Sequence, residues 1–321
     1  AEVYDATPTA NFATTTPRLL NIQATPSAMA GIGLLMMAIA CFAFMDTLTK
    51  QVTLSVPVLM VIWARYLIQA VVTTLFILPK TGRTVLITER PLIQMVRGAL
   101  LMLTTLLAIV SLQFLPVGEF SAIVMTSPLL VTLLAARLLG EHVSNLRIVL
   151  VCGGFAGTLM IVRPGSDAFS WVMVFPLLLV ITNAAFQLLT GKIAQTEKSM
   201  TTHFYSVWTG AVLTTLLLFW GWSAIDDMYL WFEIFLIGAA GAMGHFLLIV
   251  SFEKSPTAAL MPYMYAQIGF AMFGGWLLFD HIPDHWSMLG IGLIALCGLA
   301  GGILTLVENT PKQASATDRA D

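Results

Sequence analysis

The sequence predicts an all-α integral membrane protein, and three observations lead there. Of its 321 residues, 58% are hydrophobic and only 10% are charged, whereas a soluble globular protein carries roughly 25% charged residues. Too few polar groups exist to cover a surface facing water. The mean hydropathy is +0.88. The apolar residues also fall in successive runs of about 20, the length that crosses roughly 30 Å of hydrocarbon. A membrane barrel would instead alternate in polarity over about ten residues, and runs such as FPLLLVITNAAFQLL do not alternate.

Ten spans follow from these runs, at 30–51, 57–79, 94–114, 117–139, 145–163, 170–191, 202–222, 229–252, 257–279 and 286–307. Residues 1–29 are polar and rich in Thr, Ala and Pro, and they are expected to form a disordered tail. They lack the basic start and apolar stretch of a secretory signal. Residues 308–321 are likewise polar and are expected to form a second tail. With a cytoplasmic N-terminus, the inner side collects Arg18, Lys80, Arg83, Arg90, Arg97, Arg137, Arg147, Lys192, Lys198, Lys254, Lys312 and Arg319 out of 15 basic residues. Lys50 and Arg163 fall on the other side, and Arg65 lies within the second span. Cytoplasmic loops carry the excess of Lys and Arg. Both termini are therefore expected in the cytoplasm, in a cytoplasmic (inner) membrane.

The second half of the chain resembles the first. AIVSLQFLP at 108–116 aligns with LLIVSFEKSP at 247–256 on a shift of 140, and LLGEH at 138–142 aligns with LLFDH at 277–281 on a shift of 139. FAFMDTLTK at 42–50 matches AAFQLLTGK at 184–192 more loosely, on a shift of 142. The repeats run from 30 to 165 and from 166 to 307. Each holds five spans, an odd number, so the second enters the membrane in the opposite sense. Inverted repeats are frequent in secondary transporters, because two similar halves facing opposite ways can exchange shapes and open one central site to each side in turn.

RGALLMLTTLLAIVSLQFLPVGEFSAIVMTSPLLVTLLAARLLGEHVSNLRIVLVCGGFAGTLMIVRPG at 97–165 resembles the drug/metabolite transporter superfamily, in its EamA-type form with two five-helix domains. So does EKSPTAALMPYMYAQIGFAMFGGWLLFDHIPDHWSMLGIGLIALCGL at 253–299. Leu-Gly-Glu after the fourth span and Arg-Pro-Gly after the fifth carry much of the likeness. AFMDTLTK followed by WARYLIQ is similar to a subgroup with Asp and Lys in the first span and Arg in the second. Some of that subgroup import riboflavin or S-adenosylmethionine. The resemblance implies a carrier of small organic solutes.

A charge at mid-bilayer costs at least about 2.5 kcal/mol on insertion scales, so each one retained needs a partner or a task. Asp46 and Lys50 stand four residues apart on one face of the first span, and Arg65 enters from the second at a similar depth. The three either neutralise one another as an ion pair or triad, or sense substrate or protons at a cavity mouth. Glu119 is either solvated at the start of the fourth span or a proton-titrating carboxylate. His245 in the eighth span is either a packed, hydrogen-bonded ring or a coupling group, since imidazole titrates near neutral pH.

The ninth span reads MPYMYAQIGF, with Tyr263, Tyr265 and Gln267 near its middle. On the repeat shift, Tyr265 and Gln267 correspond to Thr126 and Pro128 in VMTSPLL of the fourth span. Both segments carry proline, which frees a carbonyl and bends a helix, and irregular backbone is tolerated where it lines a cavity. These groups, with Ser127, are either packing glue or the lining of a substrate site, Tyr265 and Gln267 foremost; Asn183 and Gln187 in the sixth span are weaker candidates. Glu141, Asp280, His142 and His281 are expected in loops as solvated caps.

Other chemistry finds little footing. No Walker sequence GxxxxGK[ST] occurs, and no metalloprotease motif, nucleophile-and-base set or paired intramembrane aspartates. Cys41, Cys152 and Cys297 lack metal or disulfide spacing, and no basic patch for nucleic acid exists. The reading is a secondary transporter of an amino-acid-like, zwitterionic or heteroaromatic metabolite, working by alternating access with proton coupling or a counter-solute. It uses no cofactor or metal, has membrane lipid around it, and is a monomer or homodimer. An intramembrane enzyme and a non-transporting sensor or assembly subunit are the alternatives.

Overall fold

A computed structural model describes residues 26–139, 144–164, 171–193, 196–254 and 257–317. The helices are α1 (Pro26–Val52), α2 (Val58–Thr81), α3 (Pro91–Phe114), α4 (Val117–Val124), α5 (Ser127–Leu139), α6 (Asn145–Val162), α7 (Val174–Ile193), α8 (Ser199–Leu217), α9 (Met228–Lys254), α10 (Thr257–Met264), α11 (Ala266–Phe279) and α12 (His285–Thr317). Among the described residues there is no strand. Eight helices among the described residues are long and apolar enough to cross a membrane: α1, α2, α3, α6, α7, α8, α9 and α12.

Helix ends follow local chemistry. Pro91 opens α3, where its missing N–H is no loss. The Ser144 hydroxyl caps α6 by accepting from the Arg147 amide. Arg163 and Asp280 end α6 and α11 in the left-handed region, at φ 49° and 50°, the conformation that often terminates helices.

The predicted spans 117–139 and 257–279 are each divided. Pro128 cannot donate to Val124 and its ring crowds that carbonyl, so α4 stops there. A turn at Met125 and Thr126 follows, in which both the amide and the hydroxyl of Thr126 donate to the Ile123 carbonyl, at 3.1 and 2.6 Å. The second division falls at Tyr265, three residues after Pro262 inside α10. Gly298 on α12 faces the Tyr265 ring, and Gly302 faces Pro262; a Cβ at either would overlap its neighbour. The broken segment can lie against α12 only because these positions lack side chains.

α1 packs along α9, α3 along α7 and α8, and α2 against α8 and α9. α6 packs along α12, α4 and α1 against α11, α5 and α4 against α7, α10 against α12 and α5 against α6. One buried cluster centres on Phe120, Ile123, Ile268 and Ile294, a second on Met60, Ile62, Tyr66 and Ile237. α12 continues to Thr317, so the helix runs through most of the tail expected from residue 308. The tail expected at 1–29 falls almost entirely outside the described residues, as do Glu141 and His142.

Candidate functional site

The end of the bundle where α1 starts and α12 finishes is termed the terminal end, and the opposite one the far end. A cavity of about 250 Å³ lies in the terminal half, among α3, α7, α8 and α9, lined by Arg97, Phe186, Thr190, Glu197, Thr202, His203, Ser206, His245 and Phe252, with Ser199 exposed at its rim. These positions meet because α3 and α8 start at this end while α7 and α9 finish there.

Arg97 dominates the chamber. It is 6% exposed. Its Nε donates to Thr190 Oγ1 at 2.7 Å, and Nη1 donates to the Thr202 carbonyl at 3.0 Å and to Ser206 Oγ. Its flat face lies over the Phe186 ring, 4.7 Å from the centroid. All three acceptors are uncharged. Glu197 lines the same cavity, but its Oε1 accepts from Thr88 Oγ1 at 2.5 Å and from the Glu89 amide at 2.9 Å. The imidazoles of His203 and His245 stand 5.2 Å apart, and Phe42 meets His245 edge-on at 4.9 Å.

Of the residues singled out by sequence, His245 lines this chamber. Tyr265 and Gln187 line a separate cavity of about 150 Å³ with Pro128, Met264 and Gly298. Thr126 and Ser127 are fully buried; Thr126 is satisfied within its own turn, whereas the Ser127 hydroxyl has no hydrogen-bond partner among the described residues. Tyr263 is 43% exposed, and Gln267 and Asn183 are half-buried; none of the three lines either cavity.

The charged triad is not assembled as sequence spacing suggests. Lys50 turns away from Asp46 and donates to the carbonyls of Leu112 and Leu115, at 2.6 and 2.8 Å, with its ammonium 5.6 Å from the Phe279 centroid. It thus satisfies carbonyls left open at the end of α3. Asp46 is buried. Among the described residues it forms no ion pair with Arg65, whose Nε is buried without a partner. A shared helix face gives proximity along one helix, and here the open carbonyls of a neighbouring helix offer the stronger acceptors.

Glu119 is not solvated. It is 4% exposed on α4, and Oε1 pairs with His281 Nε2 at 3.0 Å while Oε2 is buried without a partner among the described residues. His281 is therefore a partner of a buried carboxylate and not a free loop cap. Close by, Arg163 pairs with Asp284, whose Oδ1 also accepts from the Ser287 amide at 2.8 Å. That guanidinium holds the Asp284 carboxyl well below the usual carboxylate range. These two pairs tie α4 to the end of α11 and α6 to the start of α12, both at the far end.

Arg97 and His203 escaped sequence reasoning. A signal existed for Arg97: it stands inside the predicted span 94–114, although positive-inside counting assigned it to a rim. His203 sits one position inside its span, with only the polar start MTTHF to mark it.

Residues 29–163 match the EamA-like transporter family. Through that stretch the chain is similar to the family. The chain also has relatives along most of its length. The S-adenosylmethionine uptake transporter of Rickettsia bellii (strain RML369-C) is 24% identical over 266 residues, covering 82% of this chain and 90% of the relative. The riboflavin transporter of Rhizobium johnstonii is 28% identical over 233 residues, covering 70% and 76%. The pseudopaline exporter of Pseudomonas aeruginosa is 24% identical over 272 residues, covering 84% and 95%. A solved crystal structure superimposes with a TM-score of 0.62 at 16% identity, over 88% of this chain and 99% of its own, so the fold is shared. The chain is a multi-pass membrane protein similar to transporters along most of its length.

Proposed function

We propose that this EamA-like chain is a secondary transporter carrying a small organic metabolite across the cytoplasmic membrane by alternating access. In this reading ten segments span the bilayer with both termini in the cytoplasm, and residues 30–165 and 166–307 form inverted repeats. One observation carries it. Exchanging α1 with α7, α2 with α8, α3 with α9, α4 with α10, α5 with α11, and α6 with α12 maps most of the larger helix pairs onto one another. The α1–α9 pair becomes α7–α3, α2–α9 becomes α8–α3, α1–α11 becomes α7–α5, and α10–α12 becomes α4–α6, while α2–α8 and α6–α12 return to themselves. The two helix breaks, at 125–126 and 265, also stand one repeat apart.

A scaffold with that symmetry has two equivalent ways to open. The chamber is not symmetric: it lies in the terminal half, while charged pairs join the halves at the far end. That is one state of an exchanging pair, closed on the far side. Solute is held in the Arg97 chamber, with His245 as a coupling group. Tyr265, Gln267, Gln187, Asn183, Tyr263, Thr126 and Ser127 act along its path near the breaks. Asp46, Lys50, Arg65 and Glu119 gate that path or couple it to protons or a counter-solute. The relatives named for S-adenosylmethionine, riboflavin and pseudopaline support a small organic metabolite.

The test is flux. Purified protein in liposomes should catalyse counterflow of at least one radiolabelled metabolite from a panel that includes S-adenosylmethionine and riboflavin, and empty liposomes should not. A chain that moves nothing across a broad panel, with or without a proton gradient, is a sensor or an assembly subunit.

A further inference from the structure

The chamber holds a buried cation whose charge the protein leaves unanswered. Taking an ion out of water is costly unless an opposite charge or a full set of hydrogen bonds replaces the solvent. Arg97 has been given only part of that replacement. A guanidinium presents five N–H donors; Nε and Nη1 are engaged by Thr190, Thr202 and Ser206, which leaves both N–H groups of Nη2. Among the described residues no carboxylate comes within ion-pair distance of it. Glu197, on the same cavity wall, is turned to Thr88 and the Glu89 amide. Nor is Arg97 free to leave: three neutral acceptors fix its plane and Phe186 covers one face. It is a preorganised guanidinium on the wall of a cavity of about 250 Å³, enough room for an amino-acid-sized or mono-aromatic solute.

We propose that the transported solute carries a carboxylate and that this carboxylate docks on Arg97. The proposal rests on the transport reading above and narrows its substrate class to organic carboxylates. A single negative charge matches the single unanswered positive one, and the free Nη2 donors supply charge-assisted bonds, the strong kind. Phe186 and Phe252 offer aromatic surface beside it for the rest of the solute.

The experiment uses the full chain in lipid nanodiscs and reads thermal stabilisation, which at fixed ligand concentration rises with the logarithm of the affinity, as RT ln(1 + [L]/Kd). The probes are matched pairs: aromatic and aliphatic amino acids each with the corresponding amide, S-adenosylmethionine with its decarboxylated form, riboflavin as an uncharged probe and inorganic phosphate as a non-carboxylate anion. At least one carboxylate should stabilise the protein, and its partner lacking the carboxylate should bind roughly tenfold to a hundredfold more weakly. Arg97→Gln should erase the difference within the pair, and Arg97→Lys should keep part of it. Should Arg97→Gln not fold, the matched pairs on the wild type and on Arg97→Lys still decide. Equal binding of acid and amide, binding of riboflavin or phosphate alone, or no binding of any carboxylate would each overturn the proposal. Counterflow of a neutral or cationic solute in that event leaves the transport reading standing. Absence of flux for every solute removes both.

Discussion

Replacing Lys50 by Met removes one ammonium while keeping most of the stem, and its effect can be worked from the geometry. The ammonium donates to the Leu112 and Leu115 carbonyls at 2.6 and 2.8 Å, and a hydrogen bond to a charged group is worth about 1.5–3 kcal/mol. A cation beside the carbonyl end of a helix adds roughly 0.3–1 kcal/mol, and the Phe279 ring contributes about 0.5 kcal/mol. Relief of the buried charge offsets part of this sum, so Lys50→Met should destabilise the protein by about 2–4 kcal/mol. Denaturant unfolding followed by tryptophan fluorescence in detergent measures it. A double-mutant cycle with Asp46→Asn then asks what Lys50 is bonded to. Sites without a shared contact add to within about 0.5 kcal/mol, and that is the expected coupling. A coupling energy above about 1 kcal/mol would mean that Asp46 and Lys50 pair along the helix face after all. A neutral Lys50→Met would mean that the α3 carbonyls do not depend on it.

Gly298→Ala should cost about 1–3 kcal/mol, the usual penalty of overpacking, because the new Cβ overlaps the Tyr265 ring; Tyr265→Leu in the same chain should restore most of it, and a single variant as stable as wild type contradicts the apposition. Asp284→Asn should lower stability slightly at neutral pH, by no more than about 1 kcal/mol because the pair is half-exposed and screened, and salt should shrink the effect. Since Arg163 depresses the Asp284 carboxyl, its contribution is full above the ordinary value of 3.8 and fades as pH falls below it toward the lower folded value; a difference that grows in acid has the wrong sign. In a background lacking native cysteines, Cys at Leu54 or Asp226 should react with an impermeant thiol reagent added outside intact cells, and Cys at Thr84 should not; the reverse pattern would invert the topology.

The spans were legible because the bilayer demands a length and a polarity that few sequences meet by accident. The predicted spans 57–79, 94–114 and 145–163 differ from α2, α3 and α6 by no more than three residues at either end. Pro128 announced the bend of the fourth span. What the sequence withheld was partnership between helices. Helical periodicity tells which residues share a face, and so it placed Asp46 beside Lys50. It cannot tell that carbonyls 62 and 65 residues away lie closer to the ammonium than the carboxylate does. The same limit hid His281 behind Glu119, 162 residues apart, and left Arg97 counted at a rim, because its acceptors come from helices in the other half of the chain.

The Glu119–His281 pair bears on why, in the transport reading proposed above, the far end is the closed one. Under the proposed repeat, His281 corresponds to His142 on a shift of 139, while Glu119 corresponds to Ala258 or Ala259 on shifts of 139 or 140. The histidine recurs and the carboxylate does not, so the latch has no acidic counterpart in the other repeat. A symmetric scaffold with a one-sided latch favours the state in which that latch is made. Removing it should therefore move population toward the state open at the far end, with little effect on the terminal end. Thr53 is 6% exposed beside Lys50 and reports on that end when changed to Cys in the background without native cysteines. If the pair contributes about 1.4 kcal/mol to closure, Glu119→Gln or His281→Ala should speed labelling of Thr53→Cys about tenfold. Arg83→Cys, at the terminal end, should keep its rate and so serve as the control for general loosening. Labelling at Thr53 that stays within twofold of the parent in both variants would mean that the pair is a packing contact and that closure is held elsewhere. Equal acceleration at both ends would mean local unfolding, since a latch that acts on one state must act on one side.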